Sequence, residues 1–331
     1  MAEARGVLVI AEVVGGVVVP VTHELLGAAR RLAAVLGEPV LALAAGSGMG
    51  KVPQDLIARG ADKVYVTDEP LFAKYQTDVF VALAAKAVKE ISPRVVLLGH
   101  DGVGRDLAPR LAFRLGSGLA NDCIELRLEG QELVALRPVY GGAALAEITC
   151  AGMPKLATVR VKALDPLAAD PARKGEVVAY ASGLSESTVR ARMLEVVKQE
   201  AKGLRLEDAR IIVSGGRGIG GPEGFQTALK ELTDTLGAAQ GASRAACDSG
   251  YCPPTWQIGL TGKVVGPDLY FAIAISGASQ HLAGISGAKN VVAINKDPEA
   301  NMFKESRWGI VGDWKQVVPA LTQACKELLG K

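Results

Sequence analysis

Histidine is scarce in this chain. His23, His100 and His281 are the only three in 331 residues, which argues against a multi-histidine metal centre. Cysteine is nearly as sparse: five residues, at 123, 150, 247, 252 and 325. An odd count without metal-site spacing is the pattern of a reducing cytosol. Cys247 and Cys252 are close enough to consider as a metal or redox pair, but no second Cys/His pair completes a site. Charge imbalance is absent too. Lys plus Arg number 37 against 35 Asp plus Glu, so nothing marks a nucleic-acid or anionic-lipid surface. No apolar run is long enough to span a bilayer. The first residues, MAEARGVLVIAEVVGG, carry no basic leader and read as a core strand rather than a signal peptide. No internal repeat is visible, and no nucleophile–base pair argues for hydrolysis. The expectation is a cytoplasmic protein without a metal, a nucleic-acid partner or direct membrane insertion.

What is present is ample apolar material: 49% of residues, with 22% charged. That is a globular composition, and the length supports two domains. From Gly6 to Val13 a β-branched run reads as a central parallel strand. A helical pattern at Glu24 to Leu36, a strand at Pro39 to Ala45, a helix at Val52 to Arg59, a strand at Lys63 to Thr67, a helix at Ala73 to Glu90 and a strand at Arg94 to Leu98 continue the alternation. This rhythm predicts a doubly wound sheet. After Gly118 the texture changes, and Ile124 to Leu136, Val139 to Thr149 and Leu156 to Val161 read as added antiparallel strands. Asp165 to Gly183 reads as loop, and Thr188 to Val197 as a period-two, partner-paired strand. A second α/β domain opens near Arg210 with the strand Ile211 to Val213 and ends in a helix, Trp314 to Leu329, with Asp313 as N-cap. The expected boundary divides 1–205 from 206–331.

Several stretches carry chemistry. Leu269 to Pro298 reads LYFAIAISGASQHLAGISGAKNVVAINKDP: two apolar strands whose carboxyl ends hold Gly, Ser, His and Asn, the composition of a cofactor crevice in a parallel sheet. Ile211 to Leu232 contains G-x-G-x-x-G at Gly216, Gly218 and Gly221, between strand and helix. No acidic residue clearly follows at the spacing of a dinucleotide ribose contact, so a ligand-free glycine turn stays open. Leu97 to Arg114 repeats the strand, glycine turn and helix, where packing is the simpler reading. His281, alone between two buried strands, is either a structural hydrogen bonder or a functional group. Asn295 and Asp313 have local explanations as a strand-end cap and a helix N-cap.

The stretch S-G-A-S-Q-H-L-A-G, followed by a strand ending in I-N-K-D-P, resembles the alpha subunit of electron transfer flavoprotein. So do S-G-G-R-G at 214–218, G-A-S-R at 241–244 and Q-I-G-L-T-G-K at 257–263. Phe271, Ala274 and Ser279 stand where the pattern has, respectively, a small aliphatic residue, Gly, and Ile or Val. Leu260 replaces the usual glutamine and is left out of the site. The resemblance implies a Rossmann-like C-terminal domain that binds FAD through Arg217, Ser243, Arg244, Gln257, Gly259, Thr261, Ser276, Gly277, Gln280, His281, Asn295 and Asp313. It implies Ser243 on pyrophosphate, Arg244 beside the isoalloxazine ring, Thr261 toward N5, Gln257 on the ribityl side, His281 at the C2 carbonyl, Asn295 on phosphate and Asp313 on the adenosine ribose. One-electron reduction leaves negative charge on the flavin, which a fixed guanidinium stabilises. It further implies an electron carrier rather than an enzyme with catalytic residues of its own. The carrier would pair with a beta subunit that holds AMP, or a second FAD if the complex bifurcates electrons. The N-terminal domain and R-P-V-Y-G-G at 137–142 would form the interface with that subunit. Flavin-dependent dehydrogenases, such as acyl-CoA dehydrogenases, would donate, and a quinone reductase or other acceptor would receive. Two readings of other classes stay open: an NAD-dependent oxidoreductase, for which His281 is the only acid–base candidate, and a nucleotide-binding sensor module.

Overall fold

The computed structural model describes residues 4–330 except 143, 186–188, 190–194 and 196–203. The chain divides into two compact units. One comprises 1–138 and 145–196; the other comprises 139–144 and 197–331. Most of the segment expected as a strand at Thr188 to Val197 lies outside the described residues.

The first unit is built on a seven-stranded sheet in the order Glu176–Ala179, Lys63–Asp68, Val40–Gly46, Val7–Ala11, Val95–Gly99, Lys155–Val159, Leu119–Cys123. Every neighbouring pair is parallel. Period-two side-chain alternation explains why the strands read as continuous apolar runs. Val7, Val9, Val40 and Ala42 enter one core with Leu25, Leu26 and Leu32 of the helix Pro20–Leu36. Leu8, Leu41, Val96 and Leu98 enter the opposite core with Leu83 of the helix Thr77–Ile91 and Leu107 of the helix Gly102–Leu115. Both faces are therefore covered, as the alternation of strand and helix patterns requires.

Two expectations are corrected here. Leu156 to Val161 is not an added antiparallel strand: Lys155–Val159 is buried at every position and pairs parallel between Val95–Gly99 and Leu119–Cys123. Nor is Asp165 to Gly183 all loop, since Glu176–Ala179 forms an exposed parallel edge strand. The antiparallel addition is smaller, a three-stranded sheet of Glu125–Glu129, Glu132–Val139 and Ala144–Ile148, the first two paired antiparallel.

The second unit holds a six-stranded sheet in the order Gln257–Ile258, Ala239–Ser243, Ile211–Gly215, Leu269–Ile273, Val291–Asn295, Trp308–Val311, and its neighbours are parallel throughout. Ile212, Tyr270 and Ala272 face one core, and Val213, Phe271 and Ile273 the other. The helix Trp314–Leu329 begins where expected, with the Asp313 side chain accepting from Lys315 N at 2.9 Å. The chain leaves Ile211–Gly215 in one direction along the sheet and returns to its other side at Leu269–Ile273. Between those two strands the order reverses, and a crevice opens outside their carboxyl ends.

Glu24 in the first unit is a buried carboxylate held by the backbone. It is 6% exposed, and its Oε2 accepts from Lys162 N at 2.8 Å. Burial outweighs these contacts and raises its pKa from 4.5 to about 7. A raised folded-state pKa means stability that is complete below 4.5 and is lost as pH climbs through 7, a difference of about 3 kcal/mol. Glu24→Gln keeps an acceptor and removes the titration. Urea unfolding should find the variant more stable than the unsubstituted protein at pH 8, and no more stable at pH 4.

Candidate functional site

A cleft of about 580 Å³ occupies the crevice of the second unit. Arg217, Ser243, Arg244, Gln257, Gly259, Thr261, Ser276, Gln280, His281 and Asn295 line it. Asp313 lies in a smaller recess of about 200 Å³ with Gly220, Lys296 and Lys315, and the two spaces share Gly218, Ala274 and Asn295. Gly277 lines neither. A Cβ there would lie 2.3 Å from Met302 N, and its φ is +82°, so its backbone shapes the turn instead.

The floor is made by close approach of two strand ends. A Cβ on Gly216 would sit 2.0 Å from the Ala274 carbonyl oxygen. The glycine pattern at 216–221 therefore serves backbone packing as well as ligand access. The chain continues through a tight turn, Arg217–Ile219, into a short helix, Pro222–Gln226. Arg217 is exposed and has no ion-pair partner among the described residues. On the opposite wall, Gly284 meets Gly259, whose backbone atoms would lie 2.5 Å from an added Cβ. Leu260 N donates to Gln280 O at 2.9 Å. These contacts dock the loop 257–263 on the helix Ser279–Ile285. Leu260 is also part of the cleft wall, as a half-exposed apolar side chain.

The polar side chains are partly committed to the fold. Ser243 Oγ accepts from Ala246 N at 3.4 Å, and Thr261 Oγ1 accepts from Gln257 Nε2 at 2.9 Å. Each hydroxyl keeps its hydrogen for the cleft. Asn295 Nδ2 donates to Ile275 O at 3.0 Å and its Oδ1 accepts from Asp297 N at 3.1 Å, the strand-end role its position suggests. Arg244 is more compromised: its Nε pairs with Asp248 at 3.2 Å, and both side chains are about two-thirds exposed. Asp248 and Asp297 also line the cleft. Sequence reasoning passed over Asp248, although its i,i+4 spacing from Arg244 is the signal of such a pair. Cys247 and Cys252 meet at 3.6 Å between sulfurs, both free and buried. Among the described residues no group of three or more His, Cys, Asp or Glu could hold a metal.

His281 is 6% exposed. Its Nε2 lies 2.9 Å from Tyr270 Oη, and its Nδ1 is buried without a hydrogen-bond partner among the described residues. Burial pushes the imidazole down from 6.5 to about 4, against a smaller opposing influence of the Ile258 carbonyl. The ring is neutral near pH 7. Buried polar groups are normally hydrogen-bonded, which sets this nitrogen apart from the other polar atoms of the site. The other two histidines are used in the fold: His23 Nε2 meets Asp55 at 2.8 Å and His100 Nδ1 meets Thr158 at 3.0 Å.

Two outcomes follow from this geometry. Ala274 is held at φ +54°, in the left-handed region, where an L-residue is strained and glycine is not. Ala274→Gly should raise the unfolding free energy of this unit by about 1 kcal/mol, read from thermal unfolding. The depressed pKa of His281 gives stability that is complete above pH 6.5 and falls as pH drops toward 4, by about 3 kcal/mol. Denaturant unfolding at pH 7 and pH 4.5 should show that loss, and His281→Gln should reduce it.

Comparison with known proteins agrees with the geometry. Residues 7–183 match the electron transfer flavoprotein domain, and residues 205–286 match the electron transfer flavoprotein FAD-binding domain. The chain is 43% identical to the electron transfer flavoprotein subunit alpha of Thermoanaerobacterium thermosaccharolyticum, over 99% of this chain and 100% of that protein. It is 42% identical to the subunit alpha of Bacillus subtilis, over 98% of each. A more distant relative, 34% identical over 96% of this chain and 76% of its own length, is the LctC subunit of the lactate dehydrogenase (NAD(+),ferredoxin) of Acetobacterium woodii. A parallel sheet with a donor-lined crevice at its switch point, and a full-length match of this kind, place the chain in the electron transfer flavoprotein family, as an alpha subunit.

Proposed function

We propose that this chain holds FAD along the two connected spaces of its second unit and relays electrons through it. The observation that carries the reading is His281: a neutral ring among the residues that line the cleft, whose buried Nδ1 has no hydrogen-bond partner among the described residues. A flavin carbonyl would supply the missing acceptor. The hydroxyl hydrogens of Ser243 and Thr261 and the guanidinium of Arg217, which pairs with none of the described residues, fit phosphate and polar ring edges. Arg244 would stand beside the ring system, its charge partly balanced by Asp248. Gln257, Gly259, Ser276, Gln280 and Asn295 would complete the larger space. Gly277 would act through the turn it shapes. Asp313 would use the carboxylate oxygen not engaged with Lys315 N for the ribose hydroxyls in the smaller recess.

FAD supplies the redox chemistry when bound, and the protein supplies position and electrostatics. The close approach of Gly216 to Ala274 would set the floor beneath the bound group. The neutral His281 supplies directed polarity without a full charge. The family is one of electron carriers, and the reading needs no catalytic residue. The working form would be a cytosolic heterodimer with a beta subunit carrying AMP or a second FAD. The first unit and residues 137–142 would face that partner. Flavin-dependent dehydrogenases would be the donors, and a quinone reductase or other carrier the acceptor. Among the described residues no helix is long and apolar enough to cross a membrane, so membrane acceptors would be met at the surface.

The test begins with colour. Protein purified with its co-expressed beta subunit should be yellow and release FAD on denaturation; a colourless complex that binds NADH instead would point to the dehydrogenase reading. Asp313→Ser keeps a helix-capping oxygen and removes the carboxylate offered to ribose. Loss of one or two hydrogen bonds, about 1–2 kcal/mol, should raise the FAD dissociation constant about 5- to 30-fold with little change in the unfolding midpoint. Unchanged affinity would remove Asp313 from the site.

A further inference from the structure

Tyr270 lies behind His281, on the strand Leu269–Ile273, and is 0% exposed. Its hydroxyl is 2.9 Å from His281 Nε2, with ring centroids 6.1 Å apart and planes at 55°. We infer that Tyr270 is a positioning residue: its hydroxyl donates to Nε2, holds His281 as the Nδ1–H tautomer, and so makes the imidazole a hydrogen-bond donor toward the cleft. The inference deepens the FAD reading and rests on it for its functional part.

The proton count selects this arrangement. A neutral imidazole carries one N–H, so one ring nitrogen donates and the other accepts. If Nε2 held the proton, the phenol would be its acceptor. The phenol's own hydrogen, in a fully buried site, would then need a second acceptor, and Nδ1 would be left as a bare lone pair. If the phenol donates, its hydrogen and the Nε2 lone pair satisfy each other, and one donor remains at Nδ1. The second arrangement leaves neither the phenol hydrogen nor the Nε2 lone pair without a partner. Complete burial also holds the phenol in its protonated form, so it stays a donor through the working pH range. The partner of one ring nitrogen thus decides what the other presents.

For the bound cofactor the difference is one of sign. A donor at Nδ1 meets a carbonyl oxygen and favours negative charge gained on reduction; a lone pair there would repel it. Phenylalanine at 270 would fill the same space without holding the tautomer. Nothing about Tyr270 betrays this in the sequence, because it sits among apolar strand residues.

The experiment uses the FAD-loaded full-length protein with its beta subunit and ¹⁵N-labelled histidine, comparing the unsubstituted protein with Tyr270→Phe. His281→Gln identifies the His281 signals by their loss. In the unsubstituted protein the His281 shifts should be those of a protonated Nδ1 and an unprotonated Nε2. In Tyr270→Phe they should move toward the opposite or a mixed tautomer. The reduction equilibrium should shift about tenfold toward oxidised FAD, which is about 30 mV for a two-electron couple. A protonated Nε2 in the unsubstituted protein overturns the inference, whether or not Tyr270→Phe folds. So does a folded, FAD-loaded Tyr270→Phe with an unchanged tautomer and an unchanged potential. If the purified protein takes up no FAD, the functional reading fails by itself, and the tautomer of the FAD-free protein still decides the role of Tyr270.

Discussion

The approach of two strand ends, Gly215–Gly216 against Ala274, governs the second unit. A side chain on Gly216 would collide with the Ala274 carbonyl, and Ala274 itself is driven into the left-handed region. The crevice exists because the chain turns away in opposite directions at that point, one arm through Arg217–Ile219 and the other toward the helix Ser279–Ile285. Everything polar in the cleft is hung from one of these arms, from the neighbouring strand ends or from the loop 257–263. The loop in turn is seated by the contact between Gly259 and Gly284.

A second constraint is economy of polar groups. Ser243, Thr261, Asn295 and Asp313 each close a local hydrogen bond and keep further capacity toward the cleft or, for Asp313, the adjoining recess. Groups already fixed by the backbone do not have to be ordered when a ligand arrives, so less conformational entropy is lost on binding. Arg244 follows a different rule. Exposed and paired with Asp248, it brings a screened charge that can be redistributed when a ligand replaces solvent. The cleft therefore combines polar groups fixed by the backbone with exposed charges at its edge.

The fold class was legible in the sequence for physical reasons, and so were the cleft residues at the strand ends 276–281 and 295, whereas Arg217, Ser243, Arg244, Gln257 and Thr261 came from the family resemblance. Strands buried on both faces must be apolar throughout, and Val7–Ala11, Val95–Gly99 and Leu269–Ile273 announce themselves that way. Glycines and hydroxyl residues at the ends of such runs leave few places for a ligand other than the crevice. Edge strands lack that signature. Glu176–Ala179 is exposed and set in a Pro- and charge-rich stretch, and Leu119–Cys123 mixes apolar with polar residues. The orientation of Lys155–Val159 follows from its neighbours in space, Val95–Gly99 and Leu119–Cys123, which lie far off along the chain. Tyr270 and Asp248 were hidden for related reasons: one looks like a core aromatic, the other like a solvated helix residue, and only their neighbours give them a task.

The depth at which His281 is buried also insulates the site from the proton supply. Its pKa near 4 lies far below neutrality, so the ring neither takes up nor gives off a proton as the medium drifts over a few pH units around 7. In an electron carrier such a residue would act as a fixed dipole. Any contribution it made to the driving force between donor and acceptor would stay constant while cellular acidity changes.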